Sequence, residues 1–175
     1  EFLNMKHVVY PGSFDPITLG HINIIERAAK IFPKVTISVI ENPSKKTTFS
    51  IQERIEMIKE IFKNRPNIDT EYFQGLLMDY AEDKGVDTII RGLRAFSDFD
   101  FEFQMALTNR ELNPKIDTVF LMTDVKRAYV SSSIVKEVAL LNGDVSSFVP
   151  KLVETALQKK FIKGYFLLIL SMWGI

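Results

Sequence analysis

Lys6-His-Val-Val-Tyr-Pro-Gly-Ser-Phe-Asp-Pro-Ile-Thr-Leu-Gly-His21 is the stretch on which the reading of this chain turns. Its first five residues, Lys6–Tyr10, are rich in β-branched side chains and predict a buried strand. Pro11 to Pro16 read as a stiff turn, held by two prolines, in which Gly12 lets the chain turn tightly and exposes backbone amides to an anion. A helix is expected over Leu19–Phe32, because Ile22, Ile25, Ala28, Ala29 and Phe32 fall on one stripe. Thr18 and His21 lie three apart and share a face of that helix, with Gly20 allowing close approach. They sit at its N-terminus, where free amides and the helix dipole favour phosphate. A histidine there can donate a hydrogen bond to a phosphate oxygen; alone, it would more often cap or pack.

The same alternation continues along the chain. Val35–Ile40 reads as a second strand. Ser50-Ile-Gln-Glu53 is a capping box that opens a helix with Ile51, Ile55, Ile58 and Phe62 on one side. Ile68–Phe73 is a third strand, Leu76–Lys84 a helix with Gly85 as its C′ residue, and Thr88–Ile90 a short buried strand. Ser97 is suited to cap a helix that runs to about Leu112 and stops at Asn113-Pro114. Thr118–Met122 is a fifth strand. The serines at 131–133 cap a helix ending near Gly143, and Pro150 opens a last one. Repeated β-α units of this kind predict a Rossmann-like α/β fold, a parallel sheet of about five strands with helices on both faces. Ligands of such sheets bind at the carboxyl ends of the strands. The turn at 11–16, Ser44-Lys-Lys46, Arg91-Gly-Leu-Arg94 and the segment from Arg127 to Ser133 each follow a strand, so their cationic and hydroxyl side chains converge on one rim.

Composition narrows the function. The chain has 175 residues, 46% hydrophobic and 25% charged, as a globular domain does. Lysine plus arginine equals aspartate plus glutamate at 22 each, a balance unsuited to a nucleic-acid backbone as partner. The absence of cysteine excludes a thiol nucleophile, a disulfide scaffold and a cysteine-ligated metal, and suits a reducing cytoplasm. Residues 1–4 precede Met5 and are expected to be left over from cloning. The domain is expected over 5–161. The apolar stretch 162–175 is shorter than the ~20 residues that span a bilayer. It reads either as an extraneous tail or as a contact with a neighbouring subunit or a membrane surface, the first being favoured.

Two of these segments carry a resemblance. Gly12-Ser-Phe-Asp-Pro-Ile-Thr-Leu-Gly-His21 resembles the TxGH form of the HxGH motif of the nucleotidyltransferase superfamily, and Ser131-Ser-Ser-Ile-Val-Lys136 resembles its ISSTxxR signature. Pro43-Ser-Lys-Lys46 and Arg91-Gly-Leu-Arg-Ala-Phe-Ser-Asp-Phe-Asp-Phe-Glu102 are similar to phosphopantetheine adenylyltransferases of the bacterial type. The likeness runs from about Met5 to about Phe161.

That resemblance implies an enzyme of coenzyme A biosynthesis. It would join ATP and 4′-phosphopantetheine into dephospho-coenzyme A and pyrophosphate, by direct in-line transfer. It implies His21 as the catalytic residue, stabilising the transition state. It implies ATP contacts from Ser13, Phe14, His21, Gly92, Leu93, Arg94, Glu102, Arg127, Ala128, Tyr129, Val130, Ser131, Ser132 and Ser133, and phosphopantetheine contacts from Ser13, Lys45, Leu77 and Arg91. Arg127 stands where an aromatic or small residue is expected; it would either stack on the adenine or point away. Magnesium on the triphosphate, a cytoplasmic homohexamer, inhibition by coenzyme A and no membrane partner are implied as well. The chemistry agrees: a phosphate nucleophile is already anionic, so the site must neutralise and align two repelling anions. Taken singly, Lys45 and Lys46 read as a solvated pair, the serines as an N-cap, Glu102 as surface, and Phe96, Phe99, Phe101 and Phe103 as core or subunit interface. The competing functions are a sibling transferase acting on a mononucleotide or alcohol phosphate, a nucleotide-sensing domain without turnover, and a cofactor carrier.

Overall fold

The structure, a computed structural model, describes residues 7–41, 46–94 and 96–161. Lys45, residues 1–4 and the stretch 162–175 lie outside them.

Five strands form one all-parallel sheet in the order β3-β2-β1-β4-β5. They are β1 (Val8–Gly12), β2 (Val35–Ile40), β3 (Ile68–Phe73), β4 (Thr88–Leu93) and β5 (Asp117–Met122). Between them run α1 (Leu19–Ile31), α2 (Ile51–Phe62), α3 (Leu77–Asp83) and α4 (Phe96–Leu112), followed by α5 (Ser132–Leu140) and a helix α6 over 151–161. The Rossmann-like fold expected from the alternation is the one observed. The chain lays β2 and β3 on one side of β1, then crosses back to lay β4 and β5 on the other. That reversal opens a crevice at the carboxyl end of β1 and β4, where such sheets bind ligands.

The hydrophobic sequence pattern explains the central position of β1 and β2. Val8, Val9, Val35, Ile37 and Val39 have no exposure to solvent, and Thr36 and Ser38 between them are buried too, so both faces of these strands are covered. The two faces are unequal. Ile90 belongs to a large cluster with Val8, Ile25, Ile37, Ile58 and Leu157, whereas its neighbour Ile89 belongs to a small one with Met78, Ala81 and Ile116. Adjacent strand residues point to opposite faces. The large cluster therefore lies on the α1, α2, α5 and α6 face, and the small cluster lies under α3.

Helix boundaries follow their caps. Thr18 and Ser50 both form complete capping boxes, with His21 and Glu53 as the reciprocating residues. Ser131 caps α5 by accepting the amide of Ile134, and Gly85 takes the left-handed conformation expected of a C′ residue, at φ +63. Helix α4 begins at Phe96, one residue before Ser97, so Ser97 falls within the helix and not ahead of it. Of the phenylalanines assigned to core or interface, Phe99, Phe101 and Phe103 are 41%, 62% and 45% exposed, so they do not belong to the core of this chain. Met105, Leu107 and Leu112 of the same helix are exposed as well, as are Met122 at the end of β5 and Val125 just beyond it. Among the described residues no helix is long and apolar enough to cross a membrane.

Candidate active site

A cleft of about 170 Å³ opens at the crevice between β1 and β4. Tyr10, Pro11, Gly12 and Phe14 line it from β1 and the turn beyond, Thr18, Gly20, His21 and Ile24 from the start of α1, and Arg91, Gly92 and Arg94 from the end of β4. Glu102 of α4 and Val130 complete it.

His21 has a defined tautomer. The backbone amide of Thr18 donates to its Nδ1 at 3.1 Å, and the Thr18 hydroxyl lies at the same distance. The hydroxyl in turn accepts the amide of His21 at 3.3 Å. An Nδ1 that accepts a backbone N–H leaves the proton of the neutral ring on Nε2, as a donor. Burial, with Arg94 as the lesser cause, depresses the His21 pKa to about 4. The ring is thus a neutral hydrogen-bond donor at neutral pH. Phe14 meets it edge-on, with ring centroids 5.2 Å apart, and meets Tyr10 likewise at 5.5 Å. Burial holds the Tyr10 hydroxyl in its protonated form, with a pKa raised to about 12.

Arg91 is tied down on one side. Its Nε and Nη2 each donate to one Glu102 oxygen at 2.6 Å, and Nη1 donates to the carbonyl of Pro11 at 3.2 Å. Burial works against its charge, but the hydrogen bonds and charge of Glu102 outweigh it and raise the pKa above the ordinary arginine value. Of the five N–H donors of a guanidinium, three are spent among the described residues, which leaves two for a ligand. Arg94 is held by Asp98 and by the carbonyl of Val130. Two guanidinium groups and a neutral imidazole donor face one small space, an arrangement made for a phosphorylated ligand.

Two glycines are there for close packing. A Cβ on Gly12 would meet the Phe14 ring at 2.8 Å, and one on Gly92 would meet Ile24 at 3.1 Å and the Tyr10 hydroxyl at 3.2 Å. Gly20 differs from expectation, since a Cβ there meets nothing nearer than 3.5 Å. The tight conformation of the turn also falls elsewhere: Phe14, not Gly12, adopts positive φ, at 47°.

Of the residues singled out from sequence, Phe14, His21, Arg91, Gly92, Arg94, Glu102 and Val130 come together in the cleft. Ser13, Leu93, Ala128, Tyr129, Ser131, Ser132 and Ser133 flank it from the same loops without lining it. Ser132 donates its hydroxyl to the carbonyl of Pro16 at 2.8 Å. Arg127 donates to the carbonyl of Leu19 at 3.1 Å, which docks its guanidinium on the start of α1. Leu77 is the first residue of α3 and packs against the small cluster under that helix. Tyr10 and Ile24 were missed, because periodicity marks them as core and nothing marks the end of a strand that opens on a ligand.

The comparisons with known proteins fit this geometry. The family model described as cytidylyltransferase-like matches residues 9–138, which contain every lining residue of the cleft. A phosphopantetheine adenylyltransferase from Caldanaerobacter subterraneus subsp. tengcongensis is 53% identical over 160 residues, 91% of this chain and 100% of that protein. One from Alkaliphilus metalliredigens is 54% identical over 156 residues, 89% of this chain and 99% of that protein. In three dimensions, a crystal structure described as a nicotinate-nucleotide adenylyltransferase from Vibrio parahaemolyticus superposes with a TM-score of 0.66 at 17% identity, covering 89% of this chain and 94% of that one. That last likeness speaks for the fold. Matched nearly end to end at more than half identity, the chain belongs to the phosphopantetheine adenylyltransferases of the cytidylyltransferase-like family.

Proposed function

We propose that this chain transfers the adenylyl group of ATP to the phosphate of 4′-phosphopantetheine, giving dephospho-coenzyme A and pyrophosphate. The observation that carries this reading is the meeting of the neutral His21 ring with the guanidinium-bearing Arg91 and Arg94 in one cleft at the carboxyl ends of β1 and β4. A phosphate oxygen of phosphopantetheine attacks the α-phosphorus of ATP. The new P–O bond forms as the bond to the bridging oxygen breaks, and the electron pair leaves with pyrophosphate. The nucleophile is already an anion, so no base is needed, and the cost lies in bringing two anions together. Arg91 would take the phosphopantetheine phosphate with its two remaining donors, joined by Lys45. Arg94 and the 127–133 segment would take ATP, and His21 would stabilise the charge growing on the reacting phosphate.

Magnesium would arrive on the triphosphate. Among the described residues Glu102 is the one carboxylate lining the cleft, and both its oxygens are given to Arg91, so these residues offer magnesium no ligand set of their own. Coenzyme A carries both the pantetheine arm and the adenylyl group of the product, so it fits as an inhibitor of the same cleft. A cysteine-free chain is suited to the cytoplasm, where we place the reaction. The exposed α4 side chains support a reading in which the chain assembles, and the family resemblance implies a hexamer. Burying a large apolar side chain contributes about 1.5–3 kcal/mol, and Phe101, Phe103, Met105 and Leu107 are all available.

Pyrophosphate release that depends on both ATP and phosphopantetheine tests the reaction. His21→Ala should reduce turnover by about 10²–10³ while ATP binding changes far less; turnover near the parent level would remove His21 from the chemistry. By calorimetry, Arg91→Ala should weaken phosphopantetheine and spare ATP, and the reverse pattern would exchange the two subsites. Light scattering should find an oligomer at micromolar concentration, and a stable monomer would defeat the assembly.

The depressed pKa of His21 has a signature in stability. The unfolded chain binds a proton near pH 6.5 that the folded ring refuses until about pH 4. The neutral ring therefore contributes stability that is fully present above about pH 6.5 and lost as pH falls toward about 4. His21→Gln should shrink the drop in melting temperature between about pH 7 and about pH 5. An unchanged drop would mean that His21 titrates normally in the folded protein.

A further inference from the structure

The turn Ser13–Pro16 is held by more outside contacts than a surface turn needs, and none of its anchors lines the cleft. Arg54 of α2 is 1% exposed, and it donates Nη1 to the carbonyl of Ser13 at 2.8 Å. Its Nε donates to the carbonyl of Ser50 at 3.3 Å. A guanidinium buried to this degree on two carbonyls is costly, and burial pulls its pKa down. Asp15, 5% exposed, accepts the amides of Thr48 and Phe49 at 2.9 Å and the Lys136 ammonium at 2.8 Å. Ser132 holds the carbonyl of Pro16. Between these anchors stands Phe14 at φ 47°, a left-handed conformation that a phenylalanine adopts only when its surroundings impose it. Its ring is 2% exposed and packs edge-on against His21.

We infer that Asp15, Arg54 and Lys136 are positioning residues, which clamp the turn in the left-handed form so that the Phe14 ring fixes the His21 imidazole toward the reacting phosphate. The inference rests on the proposed role of His21. The hydrogen bond from Thr18 sets the tautomer of the ring, and the Phe14 ring, with its centroid 5.2 Å away and its plane inclined at 76°, supplies the wall that sets its tilt. A loosened clamp would let Phe14 relax to negative φ and withdraw that wall. Lys136 lies outside the residues lining the cleft, which suits a role through Asp15 rather than on the substrate.

Turnover of Lys136→Met, Asp15→Asn and Phe14→Leu, each made alone and in the His21→Ala background, tests the clamp. Lys136→Met leaves Asp15 with both of its amide donors, so it keeps the fold, to be checked by thermal melting. Each single variant should lose about 10–100-fold in kcat, with KM for ATP changed little, as misplacement of a reacting group does. Lys136→Arg should restore most of the loss. In the His21→Ala background the same substitutions should change kcat by less than about twofold, since the group they position is gone. Three results would overturn the inference: single-variant losses that multiply with that of His21→Ala, a raised KM for ATP at unchanged kcat, or parent-level turnover of Lys136→Met and Phe14→Leu. Near-normal turnover of His21→Ala alone would overturn the proposed role of His21 together with the clamp, whereas multiplying losses would overturn the clamp only.

Discussion

Strand β1 is the constraint from which the rest follows. It pairs with β2 along its whole length, Val8 with Val35 through Gly12 with Val39, and meets β4 on its other side at Val9 and Ile89. A strand paired on both edges and buried on both faces cannot shift register without losing its whole set of contacts. Everything that leaves its carboxyl end is therefore placed on a fixed base: the turn, the start of α1 and, across the crevice, the end of β4. The topology that reverses direction beside β1 leaves this end uncovered, so the central strand is also the one that opens on the cleft.

The cleft then has to keep positive charge where no ligand is yet present to balance it. It does so with few charges and much geometry. Glu102 cancels much of the charge of Arg91 and in exchange fixes the plane of its guanidinium before a substrate arrives. His21 carries no charge at neutral pH, so its donor is available without adding to the repulsion from Arg94. Arg94 is more exposed and more loosely held, at 3.1 to 3.4 Å from Asp98. Fixed donors of this kind stabilise developing charge without having to reorganise when it appears.

Much of this was legible in the sequence, and the parts that were not share a cause. Strands β2 and β3 were read to the residue, because β-branched runs bounded by polar turns leave little freedom. The Ser50 box, the Ser131 cap and the C′ role of Gly85 were legible because capping is local chemistry. The cleft was legible through His21, Arg91 and Arg94, which follow strands that any reading would find. The anchors of the turn were not legible. Asp15 finds Thr48, Phe49 and Lys136 across 33, 34 and 121 positions, and Arg54 finds Ser13 across 41. A buried arginine inside a helix reads as an ordinary surface residue until its partner is placed. Gly12 was read for its conformational freedom, yet what it supplies is room for the Phe14 ring, and the left-handed residue is Phe14 itself. Glu102 was read as a ligand of ATP or as surface, and its partner Arg91 lies 11 residues away on another element.

The position of Glu102 also joins the cleft to the outer face of the molecule. It lies in α4 between Phe101 and Phe103, both largely exposed, while its own carboxylate reaches inward to Arg91. The inward side of α4 thus serves the cleft, while Phe101, Phe103, Met105 and Leu107 of the same helix are exposed among the described residues. A helix with apolar side chains on more than one face gains from a second surface. Contacts between α4 and its own sheet are carried by few groups, with Phe99 stacked on Phe103 and set against Phe120. Covering Phe101 and Phe103 by a second copy would immobilise the turn of helix that carries Glu102, and through it the guanidinium of Arg91.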